Sequence, residues 1–114
     1  MNALEGLTKL AVEYWRLLKL YERAVMEQPP NKHVKGKSHL HYATRQLKTV
    51  TEECGLRIMT YDGQTYTPNL PMTIINADEF NDDDKLFIDQ TIEPTVIRNG
   101  SILIVGKVIL RKGE

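Results

Sequence analysis

Residues 94 to 110 read Pro-Thr-Val-Ile-Arg-Asn-Gly-Ser-Ile-Leu-Ile-Val-Gly-Lys-Val-Ile-Leu. Two β-rich runs flank Asn99-Gly100, the strongest short-range hairpin signal that a sequence offers. The chain is therefore predicted to close in a small β-module. The reading is β from residue 56 onward: Leu56 to Tyr61 with apolar positions at 56 and 58, a tight turn at Asp62-Gly63, an irregular or edge segment from Tyr66 to Pro71, a strand over Met72–Asn76 and another over Lys85–Ile92. The acidic run Asp78-Glu-Phe-Asn-Asp-Asp-Asp84 lies between these last two strands. Hard cations take oxygen ligands, but a calcium-binding loop needs alternating ligands, a central glycine and helices on both sides. This run lies between β-stretches, contains no glycine and reads as a solvated loop.

The N-terminal half has a different period. Leu4, Leu7, Ala11, Tyr14, Leu18, Tyr21 and Val25 step by three and four, an a/d heptad pattern. Leu10, Leu17 and Ala24 sit at g and widen the seam beyond a two-stranded zipper, and Trp15 extends the other flank. Gln28-Pro29-Pro30 must end this helix, because proline has no amide donor and disfavours helical geometry in the residue before it. Asn31 to Lys37 then reads as a polar connection. A second helix is predicted from Ser38 as N-cap, with Leu40, Ala43, Leu47, Val50 and Cys54 on its seam and Gly55 as its stop. Two amphipathic helices cannot bury such wide seams against each other alone. A second copy is expected to complete a four-helix bundle through Leu7, Tyr14, Leu18, Tyr21, Leu40, Leu47 and Val50, the alternative being that the spare face packs on the β-module of its own chain.

The predicted class is thus α+β: an antiparallel helical hairpin over residues 1–55, dimeric as a four-helix bundle, followed by a small, mostly antiparallel β-domain over residues 56–114. Fifteen basic and fifteen acidic residues cancel, so no net field draws the chain to nucleic acid or to an anionic membrane. No apolar run approaches the ~18 residues of a membrane span, and the N-terminus has no signal-peptide pattern, which points to the cytoplasm. The single cysteine excludes an internal disulfide framework. His39 and His41 are two apart and would lie on different helix faces, so together with His33 and Cys54 they do not form a metal set. Cys54 shares the seam of Leu47 and Val50 and reads as a small apolar residue. Gly100, Gly106 and Lys107 lack the strand-to-helix context and following hydroxyl of a phosphate loop. No catalytic constellation, cofactor site or metal site is predicted.

Two stretches carry a family resemblance. Gly63-Gln-Thr-Tyr-Thr-Pro-Asn-Leu70 is similar to the "Gly-Glu-x-Phe-Asp-Pro-Asn-Leu/Tyr-His" opening of the β-domain of GrpE-family exchange factors. Arg98-Asn-Gly-Ser-Ile-Leu-Ile-Val-Gly-Lys-Val-Ile-Leu110 resembles that family's closing pattern, "Leu-Asn-Gly-Arg-Val-Leu-Arg-Pro-Ala-Lys-Val-x-Val". Helices before a β-head match the family's layout. The pattern's Arg-Pro-Ala is replaced by Ile104-Val105-Gly106, and its arginine after the hairpin glycine by Ser101. Only about 25 residues precede the proline break, roughly 38 Å of helix, where the family has a long paired stalk, so the resemblance is to a diverged and truncated relative.

The resemblance implies a non-enzymatic regulator that binds an Hsp70-like ATPase and favours its open cleft, so that ADP leaves. The contact patch would come from Met72, Ile74, Phe87, Ile97, Arg98, Ile102 and Ile104. Each of these is also an alternating strand position, one face of which must be buried. The alternative is a dimeric structural adaptor that keeps the β-head and has lost the exchange surface.

Overall fold

The heptad run forms α1 (Ala3–Met26). Asn2 caps it, its side-chain oxygen accepting the Glu5 amide at 2.8 Å while its own amide donates to the Glu5 carboxylate at 3.1 Å. The computed structural model describes residues 1–113 and divides into two compact units, one over Met1–Leu56 and one beginning at Arg57.

In the first unit α1 packs against α2 (His33–Glu53). Tyr14 donates its hydroxyl proton to the Ala43 carbonyl at 2.9 Å, and Val25 meets Gly36 near the other end, so the two helices run antiparallel. The connection is shorter than the sequence suggested. A single 3-10 turn, Pro30–Lys32, leads directly into α2, and the expected polar linker from Asn31 to Lys37 is mostly helical. Ser38 is consequently inside the helix and is not its cap. The physical reason is that Pro30 stands where a first turn loses nothing by lacking an amide. Gly36 has a packing role: a Cβ there would lie 2.7 Å from Val25 Cγ2 and 3.0 Å from Cγ1.

The heptad seam is only partly covered. α1 buries Thr8, Ala11, Val12, Trp15 and Val25, whereas Tyr14 and Tyr21 remain 38% and 40% exposed. Leu47 and Thr51 are the buried residues of α2. Cys54 caps the end of α2 as an exposed free thiol, correcting its expected place on the seam: Val50, one turn before it on the same stripe, is exposed too, so the stripe is uncovered at this end of α2. No helix among the described residues is long and apolar enough to cross a membrane.

The second unit holds two three-stranded sheets. Its strands are β1 (Leu56–Met59), β2 (Met72–Ile74), β3 (Leu86–Glu93), β4 (Thr95–Arg98), β5 (Ser101–Ile104) and β6 (Gly106–Lys112). The orders are β1-β4-β5 and β2-β6-β3. β3 pairs antiparallel with β6 and β4 antiparallel with β5, while β2 runs parallel to β6, so the second sheet is mixed. Only Pro94 separates β3 from β4 and only Val105 separates β5 from β6. One long hairpin therefore bends from one sheet into the other. Its tip is the expected turn, with Asn99 at φ 51 and Gly100 at φ 79, both left-handed as a two-residue turn of this twist requires.

The bend is tightly built. Thr95, fully buried, donates its hydroxyl proton to the Pro71 carbonyl at 2.6 Å and accepts the Gly106 amide at 3.0 Å. Proline supplies no ladder donor at the corner, and glycine at 106 lets the two strands cross closely. The core of this unit is Tyr61, Ile88, Val108 and Leu110, with Met59, Leu70, Met72 and Leu86 among the half-buried residues packed on it. β3 is bulged on either side of Gln90–Thr91. There Asp62 accepts the Thr91 amide at 2.8 Å and the Thr91 hydroxyl accepts the Tyr61 amide at 3.1 Å, so the polar groups displaced by the bulge stay paired.

Candidate functional site

Three surfaces stand out, one on the hairpin and two on the β-module. On the hairpin, Tyr14, Leu17, Leu18 and Tyr21 of α1 face Tyr42 and Ala43 of α2 across an open apolar groove of about 790 Å3. Leu17 is 65% exposed, Leu20 58% and Tyr42 64%. Leu10 continues the stripe, because 10, 14, 17 and 21 recur at helical spacing. A monomeric protein rarely leaves so many large apolar side chains together in water.

The expected dimer residues divide accordingly. Tyr14, Leu18 and Tyr21 line the groove. Leu7 and Leu40 are half-buried, Val50 is exposed, and Leu47 is already buried in the single chain. Leu17 and Leu20 are the groove residues that a strict a/d reading underweights, and Tyr42 escapes it altogether. Their signal in the sequence is an α1 stripe wider than one seam.

On the β-module the proposed contact residues also separate. Met72 and Ile74 lie in the β2-β6-β3 sheet and pack on the core. Phe87, half-buried, lies beneath two cations, with the Lys85 ammonium 5.7 Å and the Arg111 guanidinium 5.2 Å from its ring centre. Arg111 also approaches Asp89 at 3.7 Å, so this face is charge-paired.

Ile97, Arg98, Ile102 and Ile104 do come together, in the β4–β5 hairpin, where Ile97 opposes Ile102, Arg98 opposes Ser101 and Val96 opposes Ile104. Ile102 is 50% exposed and Arg98 is exposed, while Ile97 and Ile104 are half-buried. Leu103 and Val105, which alternation alone does not single out, are exposed as well. The register steps from Val96–Ile104 to Ile97–Ile102, so Leu103 is the extra residue of a β-bulge in β5 that upsets the regular inward and outward order.

The third surface is a cavity of about 360 Å3 on the same module, lined by Tyr66, Pro68, Ile74, Phe80, Leu86 and Leu110 with Asp82 and Asp84 at its edge. One wall is fixed by Asn76. Its side chain donates to the Leu110 carbonyl and accepts the Leu110 amide, both at 2.9 Å, so the amide group prolongs the β2–β6 ladder as a further backbone unit would. A 3-10 turn at Ala77–Glu79 then starts the acidic loop, which folds back where Asp84 accepts the Asn81 amide at 2.9 Å and meets Lys112 at 3.6 Å.

His33 contacts the Gln28 carbonyl, His39 lines the helical groove and His41 is exposed. Among the described residues no group of three His, Cys, Asp or Glu side chains converges to hold a metal ion. No family model, curated protein or solved structure matches the chain.

Proposed function

We propose that this chain is a non-enzymatic regulatory binding protein: the helical hairpin pairs with a second copy as a four-helix bundle, and the β-module binds a protein partner as a GrpE-type exchange factor binds an Hsp70-like ATPase. The observation that carries the reading is the stretch from the β4–β5 hairpin into β6, which resembles the GrpE closing pattern and in which Ile102, Leu103, Val105 and Arg98 are exposed. An apolar patch with a cation at its rim is the usual composition of a protein contact surface.

The dimer follows from the groove. Burying a leucine side chain fully is worth roughly 1.5–3 kcal/mol, so covering Leu10, Leu17 and Leu20 in a symmetric interface supplies a substantial part of what two copies need to associate.

The work on the partner would be differential binding. A head that binds the open state of the ATPase more tightly than the closed one, by about 3 kcal/mol, would shift that equilibrium on the order of 150-fold toward the open state, from which ADP leaves. A second reading has its own support. Ile104-Val105-Gly106 stand where the family pattern has Arg-Pro-Ala, and their contribution is an apolar edge and a close strand crossing without a cation. That favours an adaptor that holds a partner and leaves its nucleotide alone.

The experiment is ADP-release kinetics on an Hsp70-like ATPase with and without the intact protein and an Ile102→Asp variant. Acceleration of at least tenfold that Ile102→Asp abolishes supports exchange. Binding with unchanged release selects the adaptor, and no binding to the ATPase refutes the exchange reading.

A further inference from the structure

We infer that the cavity between β2, β6 and the acidic loop is a recognition pocket for one lysine or arginine side chain, presented by an extended peptide segment of a protein partner. This rests on the β-module being a protein-binding head, but not on nucleotide exchange.

The cavity has two chemistries in one space. Leu110, nearly fully buried, and half-buried Ile74 and Leu86 make its apolar depth, with Tyr66 and Phe80 beside them. At its mouth are carboxylates: Asp82, which has no hydrogen-bond or ion-pair partner among the described residues, and Asp84, whose side chain is only 20% exposed. The flanking loop adds Asp78, Glu79 and Asp83.

An anionic occupant would be repelled by that loop, and a purely apolar one would cover the Asp82 carboxylate without pairing it, which costs free energy. A long aliphatic stem ending in a cation meets both demands, its methylenes lying on the apolar depth and its charge reaching the mouth. About 360 Å3 is at the small end of ligand sites, suited to one long side chain with its adjoining backbone. The molecule already shows the complement on its own surface: Lys112 Nζ lies 3.6 Å from Asp84, on a side chain that is itself 59% exposed. An incoming cation shares or takes over that position.

The test is a methyl NMR titration of the full chain with the blocked peptide Gly-Ser-Val-Lys-Val-Ser-Gly and with counterparts carrying norleucine or glutamate in place of the lysine. The lysine peptide should shift the methyls of Ile74, Leu86 and Leu110. The norleucine and glutamate peptides should bind more weakly, roughly threefold to tenfold for the loss of one or two ion pairs. Asp82→Asn, at an exposed position with no partner, should weaken the lysine peptide without disturbing the fold. Lys112→Gln should tighten it, because the internal competitor is gone.

Norleucine binding as tightly as lysine overturns the proposal, as does indifference to Asp82→Asn. No shift at those methyls up to millimolar peptide also overturns it. If free n-butylamine binds as tightly as the peptide, the occupant is a small amine and the peptide assignment fails. Failure here with ADP release intact removes the pocket alone, whereas peptide binding without accelerated release removes exchange alone.

Discussion

Replacing Gly106 by alanine tests how the β-module is assembled. A Cβ at this position would lie 2.7 Å from Thr95 Oγ1, 2.8 Å from the Glu93 carbonyl oxygen and 2.9 Å from the Thr95 amide nitrogen. Two of the three neighbours are backbone, which cannot swing aside as a flexible side chain would. Over-packing of this kind costs about 1–3 kcal/mol. Spreading the strands also weakens the 3.0 Å hydrogen bond from the Gly106 amide to Thr95, worth about 1 kcal/mol more. Against this, alanine restricts the unfolded chain and recovers about 0.4–1 kcal/mol.

The net expectation is a loss of about 2 kcal/mol, which for a module of this size lowers the melting temperature by roughly 10 °C. Urea denaturation followed by circular dichroism and by amide signals of β3 and β6 would measure it. A Thr95→Ala background removes one of the three contacts and should recover only part of the loss. A change below about 0.5 kcal/mol in Gly106→Ala would show that the crossing relaxes freely, and the steric account of the bend would be wrong. The same measurement bears on the family resemblance, because that family's pattern has alanine at the corresponding place.

Other perturbations test separate parts of the structure. Asn76→Ala removes both 2.9 Å bonds to the Leu110 backbone and should cost about 2–3 kcal/mol, with faster hydrogen exchange at the Leu110 amide; unchanged exchange there would refute the side-chain ladder. Gly36→Ala brings about 1 kcal/mol of helix propensity but sets a Cβ 2.7 Å from Val25, so it should destabilise the hairpin in the native background and stabilise it once Val25→Ala makes room. A stability gain in both backgrounds would deny the close approach of the helices. Leu17→Glu, at a position 65% exposed in the single chain, should leave the melting curve of the monomer within ~0.5 kcal/mol yet abolish dimerisation in sedimentation velocity. A parent protein that sediments as a monomer at tens of micromolar, a concentration at which even weak pairs associate, rejects the bundle.

The elements that short-range rules control were legible in the sequence. The change of period at Gly55, the Asn99-Gly100 turn and the strands beginning near Met72 and Leu86 all follow from side-chain alternation and turn chemistry. The start of α2 was misread, because Ser38 is the better cap by type, while Pro30 opens the turn that leads into the helix and Gly36 packs on Val25, a contact that local rules do not show. Cys54 was misplaced because heptad counting does not tell which part of a stripe a neighbour covers, and Val50 on the same stripe is exposed as well.

The candidate sites show the same division. Heptad spacing marked Tyr14, Leu18 and Tyr21, but Tyr42 joins them only because the antiparallel register brings α2 alongside. Alternation flagged Ile102 and Ile104, whereas the bulge between them at Leu103 breaks the alternation. The acidic loop reads as solvent-facing in one dimension. Only the fold lays two of its aspartates over Ile74, Leu86 and Leu110, residues that come from three different strands. Sequence by itself determined the two-part α+β plan, the hairpin and the amphipathic stripe, since these depend on periodicity and turn propensity within a few residues. Tertiary structure alone decided the bend at Thr95 and Gly106, the wall built by Asn76 and the mixed acidic and apolar pocket, since each depends on contacts between segments whose separation along the chain carries no local signal.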